Sequence, residues 1–201
     1  AWTTTPWTLP SNVALAVNKD ETYVVAVQNG KRYILAKARL SMMQGEYEIE
    51  KEVKGEVLLG KKYRPLYPLK DFTHENNDKI WRIYHADFVN TEDGTGIVHT
   101  AVIYGEDDYQ LGLREGLPMV PLLNGNATYN DDAPEFLRGQ YIRKAEPLIK
   151  EDLEQHGLLF AKAPYTHSYP HCYRCGTALI YNAVSSWFIN IQAVKDKMLA
   201  E

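Results

Sequence analysis

"TYVVAVQNGKRYILAKARL", residues 22–40, decides how the first half of the chain is read. Two runs of β-branched and aromatic residues flank Asn29-Gly30. A two-residue hairpin turn needs positive φ at both central positions, and Asn-Gly tolerates this at low cost. The stretch therefore predicts a β-hairpin. Downstream, "EYEIEKEVKGEVLLGKKYRPLYPL" (46–69) alternates polar and apolar residues and is broken by Gly55 and Gly60. It reads as further half-buried strand and turn. "KIWRIYHADFVN" (79–90) and "TGIVHTAVIY" (95–104) read as two more strands joined through Asp93-Gly94, the second running to about Tyr104-Gly105.

Helices come later. "GEDDYQLGLREG" (105–116) opens on three acids, suited to the positive end of a helix, and closes on Gly116. "PEFLRGQYIRKAEPLIKEDLEQHG" (134–157) is a longer amphipathic stretch ending at Gly157, with Pro147 marking a kink or a new first turn. "SSWFINIQAVKDKMLAE" (185–201) reads as a strand leading into a helix. Many strands, few helices and no regular alternation predict an α+β fold built on an antiparallel β-barrel or curled sheet with a few peripheral helices. No repeat or linker divides the 201 residues, so residues 1–201 are read as a single domain.

Composition narrows the function classes. Hydrophobic residues make up 45% and charged residues 24%, as in a soluble globular protein. No apolar run is long enough to span a bilayer, and no secretory signal opens the chain. A cytoplasmic monomer is expected. The chain starts on Ala1, which fits a fragment of something larger. At a net charge of −4 any contact with nucleic acid must use local patches, such as Lys61, Lys62 and Arg64, or Arg143 and Lys144. Solvated surface is the commoner fate of such clusters.

Several catalytic motifs are absent: Gly-x-Ser-x-Gly, His-Glu-x-x-His, the phosphate-binding loop and the dinucleotide glycine fingerprint. Two stretches remain. "WTTTPWTLPSN" (2–12) carries hydroxyls at Thr3, Thr4, Thr5, Thr8 and Ser11 on a stiff, proline-bent segment. It reads as an edge strand ending in a turn, or as a row of hydroxyls that orient water or substrate oxygen. "DGTGIVHTAVIYGEDD" (93–108) places His99 on a strand and acids at the next helix start, where they can border one pocket. A structural histidine and helix-dipole acids are the plainer reading.

Cys172 and Cys175 stand in "PHCYRCGTALIY" (170–181). Cys-x-x-Cys fits reduced thiols, a redox pair, or half of a four-thiolate zinc site whose other half lies outside this sequence.

Taken together and in order, "WTTTPWTLPSN", "DGTGIVHTA…YGEDD" and "HCYRCGTALIY…SSWF" resemble motifs of the isoleucyl-tRNA synthetase family, a class I aminoacyl-tRNA synthetase. They lie in the connective-polypeptide insertion that carries editing. The resemblance spans nearly the whole chain. Trp7 after Thr5-Pro6 follows the isoleucyl pattern; leucyl and valyl enzymes have arginine after the threonine pair. The family's two ATP-site signatures, of the His-Ile-Gly-His and Lys-Met-Ser-Lys-Ser types, do not occur here. The resemblance thus implies an editing domain without the aminoacylation site.

What it implies for chemistry is specific. Valine and isoleucine differ by one methylene, worth about 1–3 kcal/mol in an apolar pocket, a range for which this amino-acid pair is the standard case. A second pocket that hydrolyses the smaller ester supplies the missing discrimination. The implied reaction is hydrolysis of valyl-tRNA(Ile), and of valyl-adenylate, by water, with the acceptor end of tRNA(Ile) as partner. Thr4, Thr5 and Asp108 are implied as catalytic. Asp108 holds the substrate ammonium, with Asp107 as the adjacent alternative. Thr3, Trp7, Asn12, His99, Thr100 and Tyr169 are implied as substrate-binding, with His99 a candidate for the size limit. A covalent Thr-His-Asp mechanism is the rival to water. Val102 departs from the family's usual proline after "HTA" and puts the pocket wall in question. Residues 165–201 are implied to include the return segment. Its Cys172 and Cys175 form half of a zinc knuckle, completed only in the full-length enzyme, so no cofactor is expected here. A noncatalytic tRNA-binding or structural module with a degenerate site is the alternative function.

Overall fold

The computed structural model describes residues 1–69, 75–166, 168–184 and 186–200. The hairpin forms as its turn chemistry requires. Strands β2 (Thr22–Gln28) and β3 (Lys31–Ala36) pair antiparallel, with Gln28 opposite Lys31. Asn29 and Gly30 hold φ of 51° and 75°, the positive pair that a two-residue turn demands. Strand β4 (Glu48–Lys54) joins the other edge of β2, with a bulge between Val25 and Ala26. β4 is more exposed than its alternation implies: only Val53 is half-buried. Its charged side chains protect an edge from further pairing.

The second sheet has the order β5-β1-β6. Here β1 is Ala14–Val17, β5 is Arg82–His85 and β6 is Ile97–Thr100. Two expectations are corrected. The strands around Asp93-Gly94 do not pair with each other, because β1 lies between them. The sheet is also not wholly antiparallel: β1 runs parallel to β5 and antiparallel to β6. A parallel pair needs a long crossover. The chain between β1 and β5 provides one that contains the whole first sheet. The described strands thus form two small sheets in a mixed α/β domain, and no closed barrel is seen among them.

The sheets meet at Gly96 and Ala36. A Cβ at Gly96 would lie 2.4 Å from the Ala36 Cβ, so only glycine allows this approach. Tyr23 is fully buried there and donates its hydroxyl to the Gly96 carbonyl at 2.7 Å.

Helix α1 (Glu106–Glu115) begins on its three acids and ends at Gly116, φ 67°. The strand before it stops at Thr100, short of Tyr104, because residues 101–104 turn with Tyr104 N–H bonded to the Ala101 carbonyl. The long amphipathic stretch divides into a 3-10 turn, Glu135–Leu137, and helix α2 (Ile142–Gln155). Pro147 neither starts nor ends α2. The buried stripe Ile142, Ala145, Ile149 and Leu153 recurs at helical spacing and holds the helix on the main core. The facing wall is the 3-10 helix Pro6–Ser11, whose Trp7 and Leu9 share that core.

The last expected strand does not form. Residues 186–190 have no strand partner in the described chain, and Trp187, Phe188 and Ile189 stand exposed. A short helix, α3 (Lys195–Leu199), follows. Ser185 and Glu201 of that stretch lie outside the described residues.

Candidate functional site

The threonine-rich segment enters the domain beside β6, where Trp2 N–H donates to the Ile97 carbonyl at 2.8 Å. Proline at the first position then sets a 3-10 helix, Pro6–Ser11, with Thr5 as its N-cap. Thr3 Oγ1 accepts the Thr5 N–H at 3.1 Å. This geometry turns Thr4 to solvent and buries Trp7 and Thr8.

Thr4, Thr5 and Trp7 form one wall of a cleft of about 480 Å3. Tyr169, Arg143 and His171 contribute to the rest. That volume lies within the range of small-molecule sites. The structure therefore brings together the proximal threonines, Trp7 and Tyr169, which are far apart in sequence. His99, Asn12, Thr100 and Asp108 are not in the cleft lining.

Behind the threonine segment lies a buried hydrogen-bonded line. Thr8 Oγ1 is 2.7 Å from His99 Nε2, and Asn12 Nδ2 is 3.2 Å from His99 Nδ1. The Asn12 amide nitrogen also faces the carbonyls of Ala14 at 2.8 Å and Thr100 at 3.4 Å. Two carbonyls demand a donor, so this atom is the nitrogen. His99 Nδ1 must then accept, and its proton sits on Nε2, pointing at Thr8. The Thr8 hydroxyl passes its own proton to the Thr5 carbonyl at 2.9 Å. Tyr63 closes the far end by donating to Asn12 Oδ1 at 2.5 Å. Burial lowers the His99 pKa to about 4, so the ring is neutral near pH 7. Thr100 is fully buried, and its hydroxyl has no partner among the described residues.

Asp108 sits at the third position of α1. Its carboxylate accepts a hydrogen bond from the Ala101 backbone, one residue beyond β6. The strand that carries His99 thus also anchors Asp108. Gly105 leaves room for the fold-back, since a Cβ there would lie 2.7 Å from Asp108 Oδ2. Desolvation raises the Asp108 pKa to about 7, outweighing the Ala101 hydrogen bond. Asp107 points elsewhere. It is exposed and lines a separate groove of about 430 Å3 with Phe88 and Arg114. Val102 is buried against α1, where a Cβ on Gly112 would come within 2.5 Å of its Cγ1. The valine thus fits a glycine on the facing helix.

Cys172 and Cys175 lie on a tight loop in which Gly176 N–H bonds the Cys172 carbonyl at 2.9 Å. Hydrogen bonding to Thr177 lowers the Cys175 thiol pKa. His171 Nδ1 is turned to the Tyr169 carbonyl at 2.9 Å. Among the described residues no group of three or more His, Cys, Asp or Glu side chains is placed to hold a metal. Two thiolates fit half of a tetrahedral zinc site, and the remaining donors must come from elsewhere.

No family model matches the chain. Curated relatives do. It is 48% identical over 99% of its length to an isoleucine–tRNA ligase of Clostridium acetobutylicum, and 43% identical over 98% to one of Bacillus thuringiensis. The chain is similar along its whole length to one segment of the isoleucine–tRNA ligases. This ligase-like segment spans 19% of the length of those relatives. Its fold resembles GlLeuRS-CP1, with a TM-score of 0.63 at 15% identity over 81% of this chain and 83% of that one. It also resembles the editing domain of P. falciparum cytosolic leucyl-tRNA synthetase, with a TM-score of 0.57 at 14% identity over 77% and 75%. No helix among the described residues is long and apolar enough to cross a membrane.

Two residues of the ligase-like segment escaped the sequence reading as site components. Thr8 stood in the quoted threonine run but carried no distinct signal. Tyr63 lies in "KKYRPLYPL", far from every motif.

Proposed function

We propose that this chain is an editing module that hydrolyses valyl-tRNA(Ile), and valyl-adenylate, by attack of water on the aminoacyl ester. The observation that carries this reading is the state of the hydroxyls. Thr4 and Thr5 open onto a cleft of small-molecule size, while the threonine closest to a base is already committed. Thr8 donates to the Thr5 carbonyl, and His99 offers Thr8 a proton instead of taking one. A neutral imidazole with a pKa near 4 is also a poor base at pH 7. These features disfavour the covalent Thr-His-Asp route.

In this reading Thr4 and Thr5 orient the ester, ribose and water at the cleft wall. Asp108, once ionised, pairs with the substrate ammonium in a charge-assisted contact. Arg143 lines the same cleft, close enough to Tyr169 for its charge to be felt there, and supplies a cation for the acceptor-end phosphates. The single-domain organisation of residues 1–201 belongs to the same reading. So does the zinc knuckle, which the full-length enzyme completes. The purified chain is expected to hold no stoichiometric zinc; retention of one zinc per monomer through chelation, read by elemental analysis, would overturn that part.

The test is deacylation of valyl-tRNA(Ile) against isoleucyl-tRNA(Ile), with wild type and Asp108→Ala. The expected result is selective hydrolysis of the valyl ester, lost in the variant. Equal rates for wild type and variant would favour a noncatalytic tRNA-binding module. A companion titration with a nonhydrolysable valyl-adenosine analogue reads the site without the rest of the tRNA.

A further inference from the structure

The line Tyr63–Asn12–His99–Thr8–Thr5 joins three distant parts of the chain through consecutive hydrogen bonds. Its Tyr63 end is held firmly. Tyr63 N–H donates to the Trp81 carbonyl at 2.9 Å, and Trp81 N–H donates to the Val13 carbonyl at 2.6 Å. Val13 is the neighbour of Asn12, so the backbone of Tyr63 is clamped to the segment its hydroxyl serves. Trp81 adopts a φ of 56°, a left-handed conformation that a bulky residue takes only when its surroundings impose it.

The Asn12 amide has one oxygen, and its only hydrogen-bond partner among the described residues is the Tyr63 hydroxyl. Its nitrogen serves three acceptors with two protons. The contact to His99 at 3.2 Å therefore competes for the donor with the shorter one to Ala14 at 2.8 Å and the longer one to Thr100 at 3.4 Å. Without an anchor at Oδ1 the buried amide has a polar atom unsatisfied and turns to recover it. Any such turn withdraws the donor from His99 Nδ1, which frees the ring to carry its proton on either nitrogen. A proton on Nδ1 would leave Nε2 as an acceptor. The Thr8 hydroxyl would then turn to donate to His99 and leave the Thr5 carbonyl at the cleft wall with one of its two donors, the Thr8 N–H at 3.0 Å.

We propose that Tyr63 is a positioning residue for this site: its hydroxyl locks the Asn12 amide, and through it fixes His99 in the tautomer that donates to Thr8 and holds Thr5 in place. The catalytic consequence rests on the editing function proposed above; the tautomer itself does not. The experiment uses the whole chain with 15N-labelled histidine. Wild type, Tyr63→Phe and Tyr67→Phe are compared by ring-nitrogen NMR and by valyl-tRNA(Ile) deacylation. Tyr67 is the control, because it also loses a partly buried hydroxyl, one bonded to Asp152, outside this line.

Wild type and Tyr67→Phe are expected to show His99 protonated at Nε2 alone. Tyr63→Phe is expected to show both tautomers. Its kcat is expected to fall by about tenfold, the rate equivalent of one hydrogen bond, with KM little changed. A single Nε2–H tautomer with wild-type kcat in Tyr63→Phe overturns the proposal. If Tyr63→Phe does not fold, wild type still decides. A slowly exchanging Tyr63 hydroxyl proton with a cross-peak to the Asn12 side-chain amide supports the lock, and its absence refutes it. If wild type hydrolyses no valyl ester, the editing function fails, while the tautomer measurement still decides what Tyr63 does to His99.

Discussion

Replacing Asp108 by Asn should make the domain more stable at neutral and alkaline pH while removing the carboxylate proposed to hold the substrate ammonium. The folded-state pKa is raised from 3.8 to about 7 by desolvation. A raised pKa means that the folded state holds this proton more tightly than the unfolded chain does. The stability it contributes is fully present below pH 3.8 and is lost as pH rises through 7. The gap of about three pH units corresponds to about 4 kcal/mol at the alkaline end. Residual solvent contact at a half-buried carboxylate reduces this to about 2–4 kcal/mol. Asparagine avoids the cost, because it is neutral and its Oδ1 can still accept the Ala101 N–H. Urea unfolding of both proteins between pH 4 and pH 8.5 measures the difference. The variant should exceed wild type by about 2–4 kcal/mol at pH 8 and by only a few tenths at pH 4. Parallel stability curves for the two proteins would refute the desolvation argument. Substrate binding should reverse the shift, since an ammonium favours the carboxylate. Binding of a valyl-adenosine analogue near pH 6.5 is then expected to release a proton, readable as a buffer-dependent heat in calorimetry.

Gly112→Ala should cost about 1–3 kcal/mol, because the new Cβ would lie 2.5 Å from Val102 Cγ1. Val102→Ala in the same chain should recover part of that loss, and additive losses in denaturation would show that the two do not compete for one space. Asp108 lies one turn before Gly112 on α1, so the single variant should also weaken binding of the valyl analogue. Thr5→Ala should retain substantial deacylation if water is the nucleophile; complete loss with an unchanged fold would return the covalent route. Arg143→Ala should weaken tRNA binding by about tenfold and lower the salt dependence by about one phosphate contact; an unchanged salt slope in a filter-binding titration would remove Arg143 from the acceptor path.

The parts of the fold legible in the sequence are those fixed locally. Asn29-Gly30 specifies its turn through two φ angles, and the acids and Gly116 bracket α1 by their own end chemistry. The stripe of α2 was visible, but its start was not, because Gly139 and the residues around it break the pattern only through φ. Strand order was hidden for a different reason. β1 is short and lies between strands that follow it by more than sixty residues, so nothing local announces a parallel partner at Arg82–His85. At the site, motif order made the threonines, His99 and Asp108 legible as candidates. It could not show that His99 has both ring nitrogens occupied, nor that Thr8 and Tyr63 occupy the adjoining positions of the line. A hydroxyl reaching an amide from 51 positions away leaves no periodic trace.

The same long separations bear on when the site exists. Thr8 and His99 are 91 residues apart, and Asn12 and Tyr63 are 51 apart. Each of these bonds closes a large loop, whose entropy must be overcome before the contact gives anything back. The hairpin and helices can form early, but the line behind the threonines can form only once both sheets have docked. A chain still emerging from the ribosome or caught half-folded therefore has no aligned cleft wall. Under the editing function proposed above, that order of events is protective, since an immature hydrolase without its size filter would strip correctly charged tRNA.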